Sequence, residues 1–89
     1  MKNEIEKTLR ENFSPQHLEV IDESAQHVGH AESKKSGGGH YFITIVSKKF
    51  DGKSRLERHR MVYAALQEKI GKGIHALGVN ALTPAEFKN

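Results

Sequence analysis

Apolar residues recur along this chain at two different periods, and the switches between them outline the fold. Ile5, Leu9 and Phe13 fall every fourth residue with charged residues between them, which predicts a helix over 2–13. Ser14-Pro15 ends it, because the residue before a proline leaves the helical region. Residues 18–23 (Leu-Glu-Val-Ile-Asp-Glu) read as a short strand. Residues 40–47 (His-Tyr-Phe-Ile-Thr-Ile-Val-Ser) are β-branched and aromatic and carry apolar residues on both faces, so this strand is expected at the centre of a sheet. Between the two lies 24–39, polar and ending in Gly37-Gly38-Gly39, which reads as a long flexible loop joining a wide hairpin. A connection of that length inside a small domain is as a rule functional or disordered.

Asp51-Gly52 marks a turn, and Ser54 with Glu57 three residues on forms a capping-box signature. The helix this opens is expected to run to about Ile70, with Leu56, His59, Val62, Tyr63, Leu66 and Ile70 in one stripe. Gly71-Lys72-Gly73 stops it, 74–80 reads as a third strand, and Thr83-Pro84-Ala85-Glu86 caps a last short helix. The order α-β-β-α-β-α predicts an α+β fold, a small two-layer domain with a three-stranded sheet and helices on one face. At 89 residues, 1–89 is expected to form a single domain.

Composition narrows the chemistry. There is no cysteine, so neither a disulfide nor a thiolate site can be built by this chain alone. Histidine, with 6 residues, is the soft nitrogen ligand that remains. No apolar run reaches the ~20 residues of a membrane span, and Met1-Lys2-Asn3-Glu4 lacks the apolar core of a leader, so no membrane partner and a cytoplasmic location are expected. No nucleophile motif, phosphate loop or dinucleotide-binding glycine pattern occurs, and Asp22 and Glu23 would face opposite ways on a strand, so no enzyme activity is expected.

The net charge of +3 is too small to argue nucleic-acid binding by itself. Its distribution is more suggestive. Lys48, Lys49, Lys53, Arg55 and Arg58 lead into a helix start, where they could lie along phosphates with help from the helix N-terminus. The plainer reading is a solvated charged face. The Gly-x-x-Gly clamp typical of KH domains is absent from the chain.

Several motifs, in order, resemble the BolA family: Asp22-Glu23-Ser24, His27, His40-Tyr41-Phe42, Ile45-Val46-Ser47, Phe50-x-Gly52, Arg58-His59-Arg60-x-Val62-Tyr63 and Ile74-His75-Ala76-Leu77. The resemblance covers about residues 5–87. It implies a fold similar to the type II KH domain and two non-enzymatic roles. One is partnership with a monothiol glutaredoxin and its glutathione through a shared [2Fe-2S] cluster, in iron–sulfur assembly or iron homeostasis. The other is DNA binding in transcriptional regulation of stress response and cell shape.

The same resemblance places a cluster ligand at His75 and a second at His27, with His30 close enough to substitute. Cluster chemistry agrees: a [2Fe-2S] unit takes four ligands, mostly thiolates, and two imidazoles on one iron is a known variant. A chain without cysteine cannot supply the sulfur, so no cluster is expected in the isolated protein and a partner must complete the set. His40 and His59 are expected to be structural, the latter packed within the helix stripe. His17 carries no argued role.

Overall fold

The computed structural model describes residues 1–23 and 39–88. Helix α1 (Lys2–Phe13) buries Ile5, Leu9 and Phe13, the three residues of its sequence period. It stops at Ser14, which takes a left-handed conformation (φ 45°) and donates its backbone N–H to the Arg10 carbonyl. The chain then forms strand β1 (His17–Asp22), strand β2 (His40–Val46), a 3-10 turn (Lys48–Phe50), helix α2 (Arg55–Ala65), strand β3 (Ala76–Leu82) and the short helix α3 (Pro84–Lys88).

The strands form one mixed sheet in the order β1-β2-β3. β1 and β2 are antiparallel, with Val20 opposite Ile43, and β2 and β3 are parallel, with Ile43 opposite Val79. β2 is therefore central, as its apolar composition predicts. Tyr41, Ile43 and Ile45 point from it into a core shared with Val20, α1 and the α2 residues Val62 and Leu66. On the opposite face Phe42 and Thr44 are only half-buried, so one layer of helix covers one face of the sheet. Gly78 lies opposite Phe42, whose ring occupies the place a side chain at 78 would take.

Two boundaries differ from the sequence expectation. α2 ends at Ala65 rather than near Ile70. Ile70 instead forms an isolated bridge with Ile74 around Gly71 (φ 86°), whose N–H donates to the Ile74 carbonyl at 2.8 Å. A tight turn of this kind cannot continue a helix. The third strand starts at Ala76 rather than 74 and extends to Leu82, because Ile74 is drawn into the core before the sheet pairing begins.

The buried stripe of α2 also differs. Leu56 is 59% exposed and His59 is exposed, whereas Arg58 is only 7% exposed. The buried line is Arg58, Val62 and Leu66, spaced by four, and not the one through Leu56 and His59. A guanidinium can occupy that line because its donors are satisfied. Arg58 donates Nε to the Lys53 carbonyl (3.0 Å), and Nη1 to the Ala81 carbonyl (3.1 Å) and Glu86 (2.7 Å). Glu86 in turn accepts from the backbone N–H of Thr83, whose hydroxyl accepts from Glu86 N–H, so α3 is locked to α2.

The hydrogen bond from Arg58, followed by that from the Thr83 backbone, holds the Glu86 carboxyl at about 2 against an ordinary 4.5. A carboxyl depressed on folding stabilises the fold above its unfolded range, and that contribution is lost as pH falls through the folded value. The difference in melting temperature between the wild type and Glu86→Gln should thus be constant above about pH 6. It should narrow from about pH 4.5 towards 2. A difference that does not change with pH, measured by circular dichroism melts, would remove the carboxylate from this role.

Candidate functional site

His75 sits in the short link between the Gly71–Gly73 turn and β3, and the link is pinned on both sides. Before it, Ile74 is buried in the core and donates its N–H to the Lys69 carbonyl at 3.1 Å. After it, Ala76 enters the β2–β3 ladder. The N–H groups of His75 and Ala76 both donate to the Gly39 carbonyl, at 2.8 and 3.2 Å. The imidazole lies against Gly39: a side chain there would meet His75 Cδ2 and the Gly73 carbonyl. The main chain is thus fixed while the residue stays exposed, an arrangement suited to presenting a ligand to another molecule.

The register places this site relative to the ends of β1 and β2. Asp22, the last residue of β1, is opposite Tyr41, and His40 is opposite Ala76. The chain therefore leaves β1 at residue 23 and returns at Gly39 on the same end of the sheet as His75. His27 and His30 lie outside the described residues. His40 is half-buried at that end. The sequence reading puts Gly39 in the flexible loop; the structure instead buries it and fixes its carbonyl between the N–H groups of His75 and Ala76, a contact with residues far along the chain that its glycine neighbours do not signal.

The remaining histidines are elsewhere. His17 is opposite Val46, at the far end of the sheet, and its ring stacks on Phe87 of α3 with centroids 4.9 Å apart. His59 is not packed in the core as expected. It is exposed on α2 with its ring tilted against Tyr63 at 5.2 Å, and it lines an open groove with Arg55, Leu56 and Asn80. Among the described residues, no group of three or more His, Asp or Glu side chains is arranged to hold a metal ion.

The basic segment divides. Lys48, Lys49, Lys53 and Arg55 are exposed, with Lys49 Nζ donating to the Asn12 carbonyl at 2.9 Å. Arg58 does not belong with them, since its guanidinium is buried and committed to Glu86, Ala81 and Lys53. Nor is the start of α2 an open anion site. The Ser54 hydroxyl accepts from Glu57 N–H (3.1 Å) and the Glu57 carboxylate accepts from Ser54 N–H (2.7 Å). The Ser54 backbone N–H foremost, and then the Ser54 side chain, hold the Glu57 carboxyl below its usual range, so an anion already occupies the helix end. Among the described residues no helix is long and apolar enough to cross a membrane.

Comparison with known proteins agrees with this architecture. The family model described as BolA-like protein matches residues 9–86. The chain is 44% identical over 86 residues to SufE-like protein 1, chloroplastic/mitochondrial, of Arabidopsis thaliana, covering 92% of this chain but 23% of that protein's length. It is 38% identical over 88 residues to the DNA-binding transcriptional regulator BolA of Escherichia coli (strain K12), covering 99% of this chain and 80% of that one. The solved structure of BolA1 from Arabidopsis thaliana superposes with a TM-score of 0.84 at 36% identity, covering 97% of this chain and 94% of that chain. A small α+β domain with a three-stranded mixed sheet, matched by the family model over most of its length and by a solved BolA structure over nearly all of it, belongs to the BolA family.

Proposed function

We propose that this chain is a non-enzymatic partner of a monothiol glutaredoxin, sharing a [2Fe-2S] cluster in iron–sulfur assembly, trafficking or iron homeostasis. The observation that carries the reading is His75: an exposed imidazole on a fixed backbone, at the sheet end where β1 finishes at Asp22 and β2 begins at His40. The donor set fits a shared cluster. This chain offers imidazoles and no thiolate, so the partner's cysteine and glutathione supply the sulfur. In this reading His75 is one ligand and His27 the second, with His30 as its substitute. Histidine ligation raises the reduction potential of such a cluster. The main-chain bonds to Gly39 hold His75 in place before the partner arrives, which lowers the ordering cost of binding.

The test is reconstitution with a monothiol glutaredoxin, glutathione, iron and sulfide, reading the visible circular dichroism of the purified complex. The wild type should give a coloured one-to-one complex, and His75→Ala should change its spectrum or abolish it. An unchanged spectrum in His75→Ala would remove His75 from the ligand set, and absence of a coloured complex would remove the partnership.

A second reading is DNA binding, favoured by the Escherichia coli relative's name and by the exposed cations Lys48, Lys49, Lys53 and Arg55. It requires sequence-selective binding that weakens with salt and on Lys48→Ala.

A further inference from the structure

Strand β3 is closed off at two points along its outer side and open between them. In the β2–β3 ladder Ala76 N–H donates to the Gly39 carbonyl and Ser47 N–H donates to the Leu82 carbonyl, so Leu77, Val79 and Ala81 turn their backbone groups away from β2. Helix α2 takes up two of those three carbonyls. The Tyr63 hydroxyl donates to Leu77 at 2.8 Å, and Arg58 donates to Ala81 at 3.1 Å. Val79 lies midway and is half-buried. Among the described residues no side chain bonds to its N–H or its carbonyl.

That gap opens into the groove between β3 and α2, a space of about 280 Å³. Arg55, Leu56 and His59 of α2 line one side, and Val79, Asn80 and Ala81 line the other. Arg55 is exposed, and among the described residues neither its guanidinium nor the Asn80 amide has a hydrogen-bond or ion-pair partner. Leu56 and the imidazole of His59 are exposed beside it. No acid lines the groove. A free cation, an apolar surface with an imidazole ring, and a backbone donor beside a backbone acceptor therefore converge on one space.

An added peptide strand does not suit this groove. With the Leu77 and Ala81 carbonyls already taken, only the single donor–acceptor pair of Val79 is left for a strand to join. A flat ring with an acceptor beside a donor needs no more than that pair. We propose that the groove binds a nucleotide, with its base edge on Val79 and its phosphate on Arg55. An adenine meets the pair through N1, which accepts from Val79 N–H, and the N6 amine, which donates to the Val79 carbonyl. The ring lies against Leu56 and His59, the Asn80 amide adds a donor and an acceptor at the rim, and the Arg55 fork takes the phosphate. A free nucleotide and one nucleotide of an unpaired strand share this chemistry. A duplex does not, because base pairing hides N1 and N6, so the site is separate from the duplex reading at Lys48 and Lys49.

The probe is adenosine 5′-monophosphate, titrated into the full chain labelled with nitrogen-15. Saturable shifts should centre on the Val79 and Asn80 amides. Purine riboside 5′-monophosphate, which lacks the N6 amine, should bind about fivefold more weakly. Arg55→Ala should bind adenosine 5′-monophosphate about tenfold more weakly and bind adenosine as the wild type does. Arg55 is exposed, and a dispersed spectrum verifies that the variant folds. A single-stranded oligodeoxyadenylate separates the two sources. Tighter binding than the mononucleotide, with the same shifts, assigns the groove to an unpaired strand, and equal or weaker binding assigns it to a free nucleotide. Equal affinity for ribose 5-phosphate, shifts centred on Lys48 and Lys49, or no saturable shift would overturn the proposal.

Discussion

Phe50→Ala is expected to lower the midpoint of thermal unfolding by about 15–25 °C. Phe50 is fully buried, and its ring packs on Phe13 with centroids 5.2 Å apart and planes tilted by 36°. It lies in the turn after β2 and so ties the central strand and the end of α1 to the approach to α2. Truncating a buried phenylalanine costs about 3–5 kcal/mol, the transfer of the lost atoms plus the cavity they leave. In a domain of this size each kcal/mol moves the midpoint by about 4–8 °C. Phe50→Leu, which fills most of the volume, should recover more than half of the loss. A circular dichroism melt of Phe50→Ala within about 5 °C of wild type would show that the core closes over the gap.

Arg58→Ala should lower the midpoint by about 10–15 °C. The buried guanidinium links three places: the Lys53 carbonyl before α2, the Ala81 carbonyl in β3, and Glu86 of α3. Removing it leaves the first two carbonyls without that donor and leaves α3 held mainly by the stacking of Phe87 on His17. A part-buried carbonyl left without its donor costs about 1–3 kcal/mol, so the two together set the expected loss at about 2–3 kcal/mol, while the exposed Glu86 carboxylate rehydrates. Arg58→Lys should recover less than half, because an ammonium cannot reproduce the planar fork. Full recovery by lysine would mean that the charge, and not the geometry, is what matters. The same variants bear on the DNA reading. A loss of DNA affinity in Arg58→Ala that follows the loss of helix docking would be structural, whereas Lys48→Ala and Arg55→Ala should act without moving the melt.

Most of the architecture was legible because the signals are local. The four-residue period of Ile5, Leu9 and Phe13 gives α1, and the apolar run from Tyr41 to Val46 gives the central strand. Ser54 and Glu57 form the capping box their spacing predicts. The end of α2 was misread because Leu66 and Ile70 continue the helical period, while the competing turn depends on the left-handed Gly71 and the bridge to Ile74. The same period misled at Leu56 and His59. An arginine reads as solvent-facing from the sequence, and only partners 23 and 28 residues away make it a buried residue.

The candidate site divides in the same way. Composition alone excludes a thiolate and leaves histidine as the soft ligand. The ordered motifs of the sequence also pointed to the BolA family. Where those groups stand depends on the folded chain. Parallel pairing of β2 with β3 brings His75 to Gly39 across 36 positions of chain, the salt bridge to Glu86 withdraws Arg58 from the surface, and α2 lies along β3 with Tyr63 bonded to the Leu77 carbonyl. Such contacts depend on which strands pair and in what register. Non-local pairing leaves little trace in a residue's immediate neighbours, so no local period or motif encodes it.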